Sequence, residues 1–424
     1  MAFVNAIILG IVAVLIYKLA LRASASEFFS FIVTTIAICG SAGHWLARPH
    51  LMSWIFFLLF LHLIRDLQEG RKRAFYLLPA VTVLWANVHP SFFLGILLLL
   101  CVASEEAIQQ FIDGRHWFSL CKKCIPYLWA IASCSLTSLL NPYSWRLDRH
   151  IFTFLNSDFL NAIQEYQSVN FHYSPAGFFE CMLLLAAASV VWSLAARDMT
   201  STICILFWAH AALFAARSIP LFLMVAAPLA AKMLSHVTAH STIPRLRSIL
   251  VPLSQISEDL HFFERRKQIH AVSAVAVLTL AGLFAAGVRG FEGQFDPGRF
   301  PVTAIPAVVA SHAQRIFASD QWGGYLIYRQ YPAKKVFVDG RADVFGYDLA
   351  SLGPTIRNAR YDWSHQLDRF AVDMVIIKPD EPLATVLKVS PSWMRLFDDG
   401  KVIVFEAKLS RMQKLDLRAD RRSR

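Results

Sequence analysis

Four short clusters of charged, aromatic and amide residues lie beside long apolar runs in this sequence. Arginine and histidine side chains donate charge-assisted hydrogen bonds to anions, and a histidine of ordinary pKa exchanges protons near neutral pH. Polar residues that border or enter a membrane span are functional candidates by default. The candidate residues in these clusters are Arg48, His50, Trp85, Asn87, His89, Asn141, Tyr143, Arg146 and Arg217.

Each cluster also has a plainer interpretation. Asn87 and His89 would satisfy backbone groups in a tight hairpin, and Asn141-Pro142-Tyr143 would be an ordinary helix-ending turn. Arg217, and likewise Arg48 with its neighbouring histidine, would anchor a span by extending its charge to the membrane surface. The sequence leaves both interpretations open for every cluster.

The apolar runs beside these clusters indicate a membrane protein. Of 424 residues, 56% are hydrophobic and 17% are charged, whereas a soluble protein has about 25% charged residues. A membrane-spanning helix needs about 20 apolar residues, and on this scale we predict an α-helical polytopic domain of about ten spans, several of them short. The predicted spans lie near residues 2–20, 27–46, 51–65, 74–88, 91–107, 126–141, 177–196, 199–216, 219–233 and 269–288.

The basic residues between these runs predict the orientation. One alternate set of loops carries 16 lysines and arginines, and the other set carries only Arg48, Arg146, Arg149 and Arg217 before the last span. Cytoplasmic loops have an excess of basic residues. We therefore predict a protein of the bacterial cytoplasmic membrane, with its N-terminus and everything after residue 290 outside.

The first apolar run has a second interpretation as a signal peptide, because Ala23-Ser24-Ala25 matches the pattern of a cleavage site. Signal peptides carry their basic residues before the apolar core. Here residues 1–16 contain none, and Lys18 and Arg22 follow the core. This order of charges favours a retained span.

From about residue 296, short apolar runs alternate with helical segments. We predict strands at 315–319, 335–339, 373–378, 394–398 and 402–406, and helices at 306–314, 323–330, 364–370 and 382–389. Such alternation predicts a parallel or mixed sheet with helices packed on it, and Asp399-Gly400 predicts a hairpin turn. The expected organisation is a membrane domain over 1–290, a small extracytoplasmic α/β domain over 291–408 and a charged tail over 409–424.

Charged residues also follow the predicted strand at 335–339. Open α/β sheets bind ligands beyond the carboxyl ends of their strands, so Asp339 and Arg341 are candidate site residues. Alternatively, they form a structural ion pair with the segment Trp322-Gly323-Gly324. That glycine pair lacks the spacing of a phosphate loop, and Cys121-Lys122-Lys123-Cys124 lacks the second ligand pair of a zinc site.

In the predicted topology all these candidates fall on one side of the membrane. The external side also holds the loop 147–176 with Glu165, whereas the cytoplasmic loops carry basic residues without a comparable mixture of His, Asn and aromatic side chains. We therefore expect a single external site in which Glu165 is a candidate carboxylate.

Six motifs resemble those of a group of multi-spanning bacterial membrane proteins, over nearly the whole chain. They are Arg48-Pro49-His50, LWANVH at 84–89, Asn141-Pro142-Tyr143, RSIPL at 217–221, WGGYL at 322–326 and VDGRAD at 338–343. By architecture that group resembles the GT-C glycosyltransferases, which include protein O-mannosyltransferases and lipid A aminoarabinose transferases. The resemblance implies an enzyme that takes a sugar from a polyprenyl-phosphate carrier outside the cytoplasmic membrane.

Such a donor needs cations to hold its phosphate as a leaving group, and its sugar needs aromatic and amide partners. For the phosphate the sequence offers Arg48, His50, His89, Arg146, Arg217 and Arg341, and for the sugar Trp45, Trp85, Asn87, Tyr143, Trp145 and Trp322. The candidate catalytic residues are His89, Glu165 and Asp339. The expected partners are the lipid bilayer and a polyprenyl-phosphate-linked sugar, without nucleic acid; no cofactor is predicted, and nothing in the sequence supports a metal site.

GT-C enzymes commonly carry a base or metal-binding carboxylate in their first external loop. This sequence instead starts with a helix directed inward, as the second span of such a protein would be. It leaves open whether the chain is a fragment or mis-started product, or a protein that has lost this loop and its activity. Two alternatives are a non-catalytic subunit or scaffold whose external domain binds a partner or glycan, and a transporter. Against a transporter, we find no charged residue in the middle of a span.

Overall fold

The computed structural model of the chain describes residues 2–45, 48–114, 117–157, 160, 163–172, 176–240, 295–340 and 347–408, with a few residues between 248 and 262. The chain divides into two compact units, Met1–Phe291 and Glu292–Arg424, and each is described by itself. Three predictions lie outside the described residues: the span at 269–288, the tail at 409–424 and the candidate Arg341.

The first unit is helical. Its described helices are α1 Ala2–Ser24, α2 Glu27–Gly40, α3 His50–Gln68, α4 Ala74–Val88, α5 Phe93–Ile112, α6 Trp117–Thr137, α7 Trp145–Leu155, α8 Ala176–Ala195, α9 Thr202–Phe214 and α10 Ile219–His240. Short 3-10 turns at Ala42–His44, Pro90–Phe92, Gln164–Tyr166 and Ala216–Ser218 connect some of them.

The prediction of about ten spans is too high for the described residues. Five helices there are long and apolar enough to cross a membrane: Phe3–Ser24, His50–Gln68, Pro90–Ile112, Ala176–Ala195 and Ala216–His240. Glu27–Gly40, Ala74–Val88 and Thr202–Phe214 are apolar but shorter. A helix of 14 residues is only about 21 Å long, whereas the hydrocarbon core is about 30 Å thick. The sequence count failed because apolar runs continue through turns such as Ala42–His44, at which the helices end.

Helix α10 lies at the centre of the first unit, in contact with α1, α2, α8 and α9. Over residues 219–231 it is apolar on all sides, and Ala226, Ala227, Ala230 and Ala231 in it are completely buried. Small residues let neighbouring helices approach closely in a membrane. A helix of this composition therefore serves as the core against which the outer helices pack.

The second unit is a mixed five-stranded sheet covered by helices. Its elements are α11 Ile305–Ala310, β1 Arg315–Ala318, α12 Asp320–Gln330, β2 Lys335–Val336, α13 Tyr347–Arg357, α14 Trp363–Arg369, β3 Met374–Ile377, α15 Pro382–Val389, β4 Trp393–Asp398 and β5 Ile403–Ala407. The strand order is β2-β1-β3-β5-β4. Strands β2, β1 and β3 are parallel, and β5 is antiparallel to both β3 and β4.

The two faces of this sheet carry separate apolar cores. Ile316, Met374 and Ile376 pack with Trp322 and Leu326 on one face. The other face packs under α13, α14 and α15, with Phe317, Val375, Ile356, Leu367 and Leu383 in its core. All four residues of β3 are buried, as expected for a central strand covered on both faces.

Within this unit the predicted sheet, most elements and the hairpin at Asp399-Gly400 are confirmed. Two predictions are corrected. The strand predicted at 335–339 pairs only over Lys335–Val336, because the chain then leaves β1 and passes against Gly323 at Val338 and Asp339. Helix α13 was not predicted, since Gly353 and Pro354 argue against a helix, but Leu352 and Ile356 pack on the sheet and offset that penalty.

The close contact at Gly323 yields a stability prediction. A Cβ atom at this position would overlap the carbonyl oxygen of Val338 and lie 2.8 Å from Cα of Asp339, whereas one at Gly324 would meet nothing within 4 Å. We expect Gly323→Ala to lower the free energy of unfolding by about 1–3 kcal/mol, the usual cost of overpacking. The control Gly324→Ala, inside α12, should be neutral or stabilising, by at most about 1 kcal/mol. Thermal unfolding that ranks the two variants equally would contradict this contact.

Candidate functional site

Most of the predicted site residues of the first unit lie at one end of its helices. Asn5 near the start of α1 donates to the carbonyl of Trp45 at 3.0 Å, and Asn87 at the end of α4 donates to Leu140 O at 2.8 Å. The amide of Ala216, before α10, donates to Gln167 O at 3.0 Å. We call this end, formed by the segments 41–50, 85–92, 138–146, 163–172 and 214–219, the His50 end.

A carboxylate joins two of the predicted cations at this end. Arg48 Nη1 lies 2.8 Å from Glu165 Oε1, and Arg217 Nη1 lies 3.7 Å from Glu165 Oε2. The two arginines are separated by 169 positions in the sequence, so the fold alone brings them to one acid. We call Arg48, Glu165, Tyr166 and Arg217 the arginine cluster.

Tyr166 holds the Arg217 side chain in place. Its hydroxyl accepts a hydrogen bond from Arg217 Nη1 at 3.1 Å, and the guanidinium lies over its ring, 5.2 Å from the centroid. Tyr166 was not among the candidate site residues, although it lies beside Glu165 in the loop predicted to be external. Aromatic rings commonly stack on arginine, and this was the one available signal.

Two histidines line the cluster with different roles. His50 Nε2 donates to the carbonyl of His44 at 3.1 Å, and its ring contacts Trp54 edge to face. Burial lowers the pKa of His44 from its ordinary value, although the nearby carboxylate of Glu165 opposes this shift. Burial thus favours the neutral form of His44, and the arginines are the strong cations of the cluster.

Trp85, His89 and two serines form a polar chain beside the cluster. Trp85 Nε1 donates to Ser53 Oγ at 3.1 Å, Ser91 Oγ donates to Ser53 Oγ at 2.9 Å, and His89 Nδ1 accepts from the amide of Ser91 at 3.2 Å. Trp85 is completely buried, so its ring is covered by protein. For His89 the structure favours the plainer interpretation, in which it satisfies the turn between α4 and α5, whereas Trp85 belongs to the core of the unit.

Among the candidate residues at and after the end of α6, some side chains make structural hydrogen bonds and others are exposed to solvent. Asn141 donates to Ser138 O and accepts from the amide of Tyr143, both at 2.8 Å, which is a helix-ending turn. Asn87 donates to both Val83 O and Leu140 O, again at 2.8 Å. Tyr143 is 68% exposed, and Arg146 is also exposed. Of this group, Asn87, Tyr143 and Arg146 present exposed side chains that a ligand can reach.

In the second unit, Trp322 and Asp339 are neighbours across Gly323. Trp322 is buried, and its Nε1 donates to the carbonyl of Arg299 at 2.8 Å. Asp339 is buried at the carboxyl end of the parallel strands. The structure thus brings the predicted segments 322–324 and 338–339 together, and it assigns Trp322 to the core of the unit.

No group of three or more His, Cys, Asp or Glu side chains that could hold a metal ion occurs among the described residues. The arginine cluster in particular offers only one carboxylate between two cations. Two cations on one carboxylate leave this cluster with a net positive charge.

The opposite end of the helices carries a different charge pattern. Asp66, 4% exposed, lies 2.7 Å from both Arg22 Nη2 and Arg73 Nη2 and 3.4 Å from Arg71 Nη1. Glu105 bears on the prediction that no charged residue lies in the middle of a span, because it is a buried carboxylate inside α5. It accepts hydrogen bonds from the amides of Cys204 at 2.8 Å and Ser201 at 3.1 Å. It therefore caps the start of α9.

Together these observations define a membrane protein in which a helical unit is followed by a small α/β unit. Its fold is similar to that of an archaeal oligosaccharyltransferase, AglB from Archaeoglobus fulgidus, in complex with an inhibitory peptide and a dolichol-phosphate. The TM-score is 0.51 at 11% sequence identity, over 96% of this chain and 63% of that protein. AglB is of GT-C type, so the chain has a GT-C-like fold. Neither a family model nor a curated protein matches the sequence.

Proposed function

We propose that this chain is a GT-C-type glycosyltransferase-like protein that binds a polyprenyl-phosphate-linked sugar at the His50 end. The observation that carries this proposal is the fold shared with AglB over nearly all of this chain. The AglB structure contains a dolichol-phosphate, a lipid of the same chemical class. Transfer of the sugar to an acceptor is part of the proposal.

Arg48 and Arg217 are the proposed phosphate ligands. Both guanidinium groups are partly exposed, at 56% and 38% of the side chain, and Glu165 holds them on one carboxylate. Two cations and one carboxylate leave a net positive charge, which favours a phosphate. Asn87 and Tyr143 are exposed candidate partners for the sugar, and Arg146 is a further exposed cation. In the second unit Asp339 and Arg341 remain proposed site residues.

A second candidate function is a non-catalytic subunit or scaffold. It is favoured by the fact that Glu165 already pairs with both arginines and that the side chains of Asn87 and Asn141 already donate to backbone carbonyls. In a scaffold the arginine cluster would only tie the loops together. The two functions differ in whether a lipid phosphate binds.

The test is binding of undecaprenyl phosphate and of undecaprenol to the purified chain in nanodiscs. The two lipids share the prenyl chain and differ in the phosphate. We expect clear preference for the phosphate, weakened by Arg48→Ala because the phosphate then loses one of its two cations. Equal binding of the two lipids would remove the donor site and favour the scaffold. Turnover of a polyprenyl-phosphate sugar by the same sample tests the transfer step separately.

We further propose that the His50 end and the second unit face the outside of the bacterial cytoplasmic membrane. Single cysteines at His172 and Tyr361 in a cysteine-free background should react with a membrane-impermeant maleimide in intact spheroplasts. Tyr361 is 97% exposed, so burial in protein would not block it. A cysteine at His240 should react only after the cells are opened. The reverse pattern would overturn the orientation.

A further inference from the structure

We propose that helix α7, Trp145–Leu155, lies in the headgroup layer of the bilayer and anchors the His50 end to it. The occupant of its exposed apolar face is the boundary between lipid headgroups and acyl chains. This inference uses the burial of the helix and does not depend on the proposed glycosyltransferase function.

The helix divides into three faces. At about 100° per residue, Leu147, Ile151 and Phe154 share one side, and they pack on the protein. Trp145 and Phe152, two turns apart, share a second side with Leu155, and the half-buried Asp148 lies between Phe152 and Leu155 on that side. Trp145, Phe152 and Leu155 are 57%, 69% and 45% exposed.

The third face is polar. Arg146, Arg149, His150 and Thr153 fall within about 100° of one another on the helix, and all four are exposed. A helix in solution has no reason to expose an aromatic face next to a basic one. Helices at a membrane surface have this division, with aromatic side chains in the boundary and basic ones toward phosphates and water.

The exposed face continues a lipid-facing surface of the same chain. Leu128, Trp129, Leu136 and Leu140, along and just after α6, are between 56% and 68% exposed. They belong to a unit in which five described helices are long and apolar enough to cross a membrane, so we infer that lipid covers them. Helix α7 follows directly, but its 11 residues extend only about 16 Å. It is too short to cross the bilayer and fits the boundary layer.

The helix also contacts the arginine cluster. The ring of Phe154 meets the ring of Tyr166 edge to face, with centroids 5.9 Å apart, and Tyr166 holds Arg217. The depth of α7 in the membrane therefore determines the depth of the cluster relative to lipid headgroups.

The experiment places an environment-sensitive fluorescent amino acid at Phe152 and, as the matched control, at its neighbour Thr153 on the polar face. The full chain is examined in nanodiscs that contain one copy each, with and without brominated phosphatidylcholine. We expect blue-shifted emission at 152 that brominated lipid quenches several-fold more than at 153, and stronger quenching by aqueous iodide at 153.

Equal iodide quenching at the two positions would overturn the proposal, because both would then face water. Blue-shifted emission at 152 without quenching by brominated lipid would also overturn it, since protein would then cover the face. Both labelled samples must elute as the unlabelled chain does. A misfolded sample is replaced by one labelled at Trp145, on the same face, with Arg146 as its control.

Discussion

Replacing Arg217 with alanine is expected to weaken binding of an undecaprenyl-phosphate analogue by roughly 1.5–3 kcal/mol, the scale of a hydrogen bond to a charged group. At about 1.4 kcal/mol per factor of ten, this is roughly a 10- to 150-fold higher Kd. The reason is geometric: Tyr166 fixes the guanidinium by a hydrogen bond and by stacking. A fixed cation binds a phosphate with less loss of side-chain freedom.

Arg217→Lys separates a directed role from a simple anchor. An ammonium group cannot reproduce the planar fork or the stacking on Tyr166, so we expect only partial recovery of binding. Arg149→Ala is the matched control, since it removes the same charge from the same end of the unit, on α7 and outside the arginine cluster. If the Arg217→Lys variant binds with full affinity, or if Arg149→Ala weakens binding as much as Arg217→Ala does, Arg217 acts through general charge alone.

The second large effect is expected at the opposite end of the helices. Removing the buried carboxylate of Asp66 leaves Arg22, Arg71 and Arg73 without their shared acid. Loss of one member of a buried ion pair costs about 3–5 kcal/mol. The three arginine side chains are 22%, 50% and 60% exposed, so water solvates part of the released charge. We therefore expect Asp66→Ala to lower the free energy of unfolding by about 3 kcal/mol, at the lower end of that range.

Unfolding of the purified protein by SDS titration measures this loss. Glu69→Ala is the control, because Glu69 contacts Arg22 and Arg71 but its side chain is 35% exposed. Its loss should destabilise the protein far less than that of Asp66. Binding of the lipid phosphate should be unaffected in both variants, since they lie at the other end of the helices. Equal destabilisation by the two substitutions would show that the contribution of Asp66 to the free energy of unfolding does not depend on its burial.

In the second unit, the sequence pattern predicted most of the secondary structure but not all of it. Its strands are short apolar runs, wholly buried in Met374–Ile377 and mostly buried in Arg315–Ala318 and Ile403–Ala407, and local signals such as Asp399-Gly400 mark the turns. These signals act between near neighbours in the chain, so they predicted a parallel or mixed sheet, and the pairing of distant strands decided that it is mixed. Helix α13 was missed because the packing of Leu352 and Ile356 on distant strands outweighs local propensity.

In the membrane unit the sequence alone determined the class of protein and the charge difference between the two ends of its helices. Hydropathy and basic residues are local properties, so they can be counted without knowing the fold. Where each helix ends is different, because turns such as Ala42–His44 interrupt apolar runs without changing their composition. For this reason the sequence predicted about ten spans, whereas five helices among the described residues are long and apolar enough to cross a membrane.

Only the tertiary structure decided which candidate residues act together. Arg48, Glu165 and Arg217 stand far apart in the sequence, and the convergence of three loops places both arginines on one carboxylate. Trp85 and Trp322 looked equally suited to a ligand, but the packing around them buries both rings. Residue type limits what chemistry a side chain can do. Its exposure and its partners depend on contacts between distant segments, and these contacts cannot be inferred from the sequence alone.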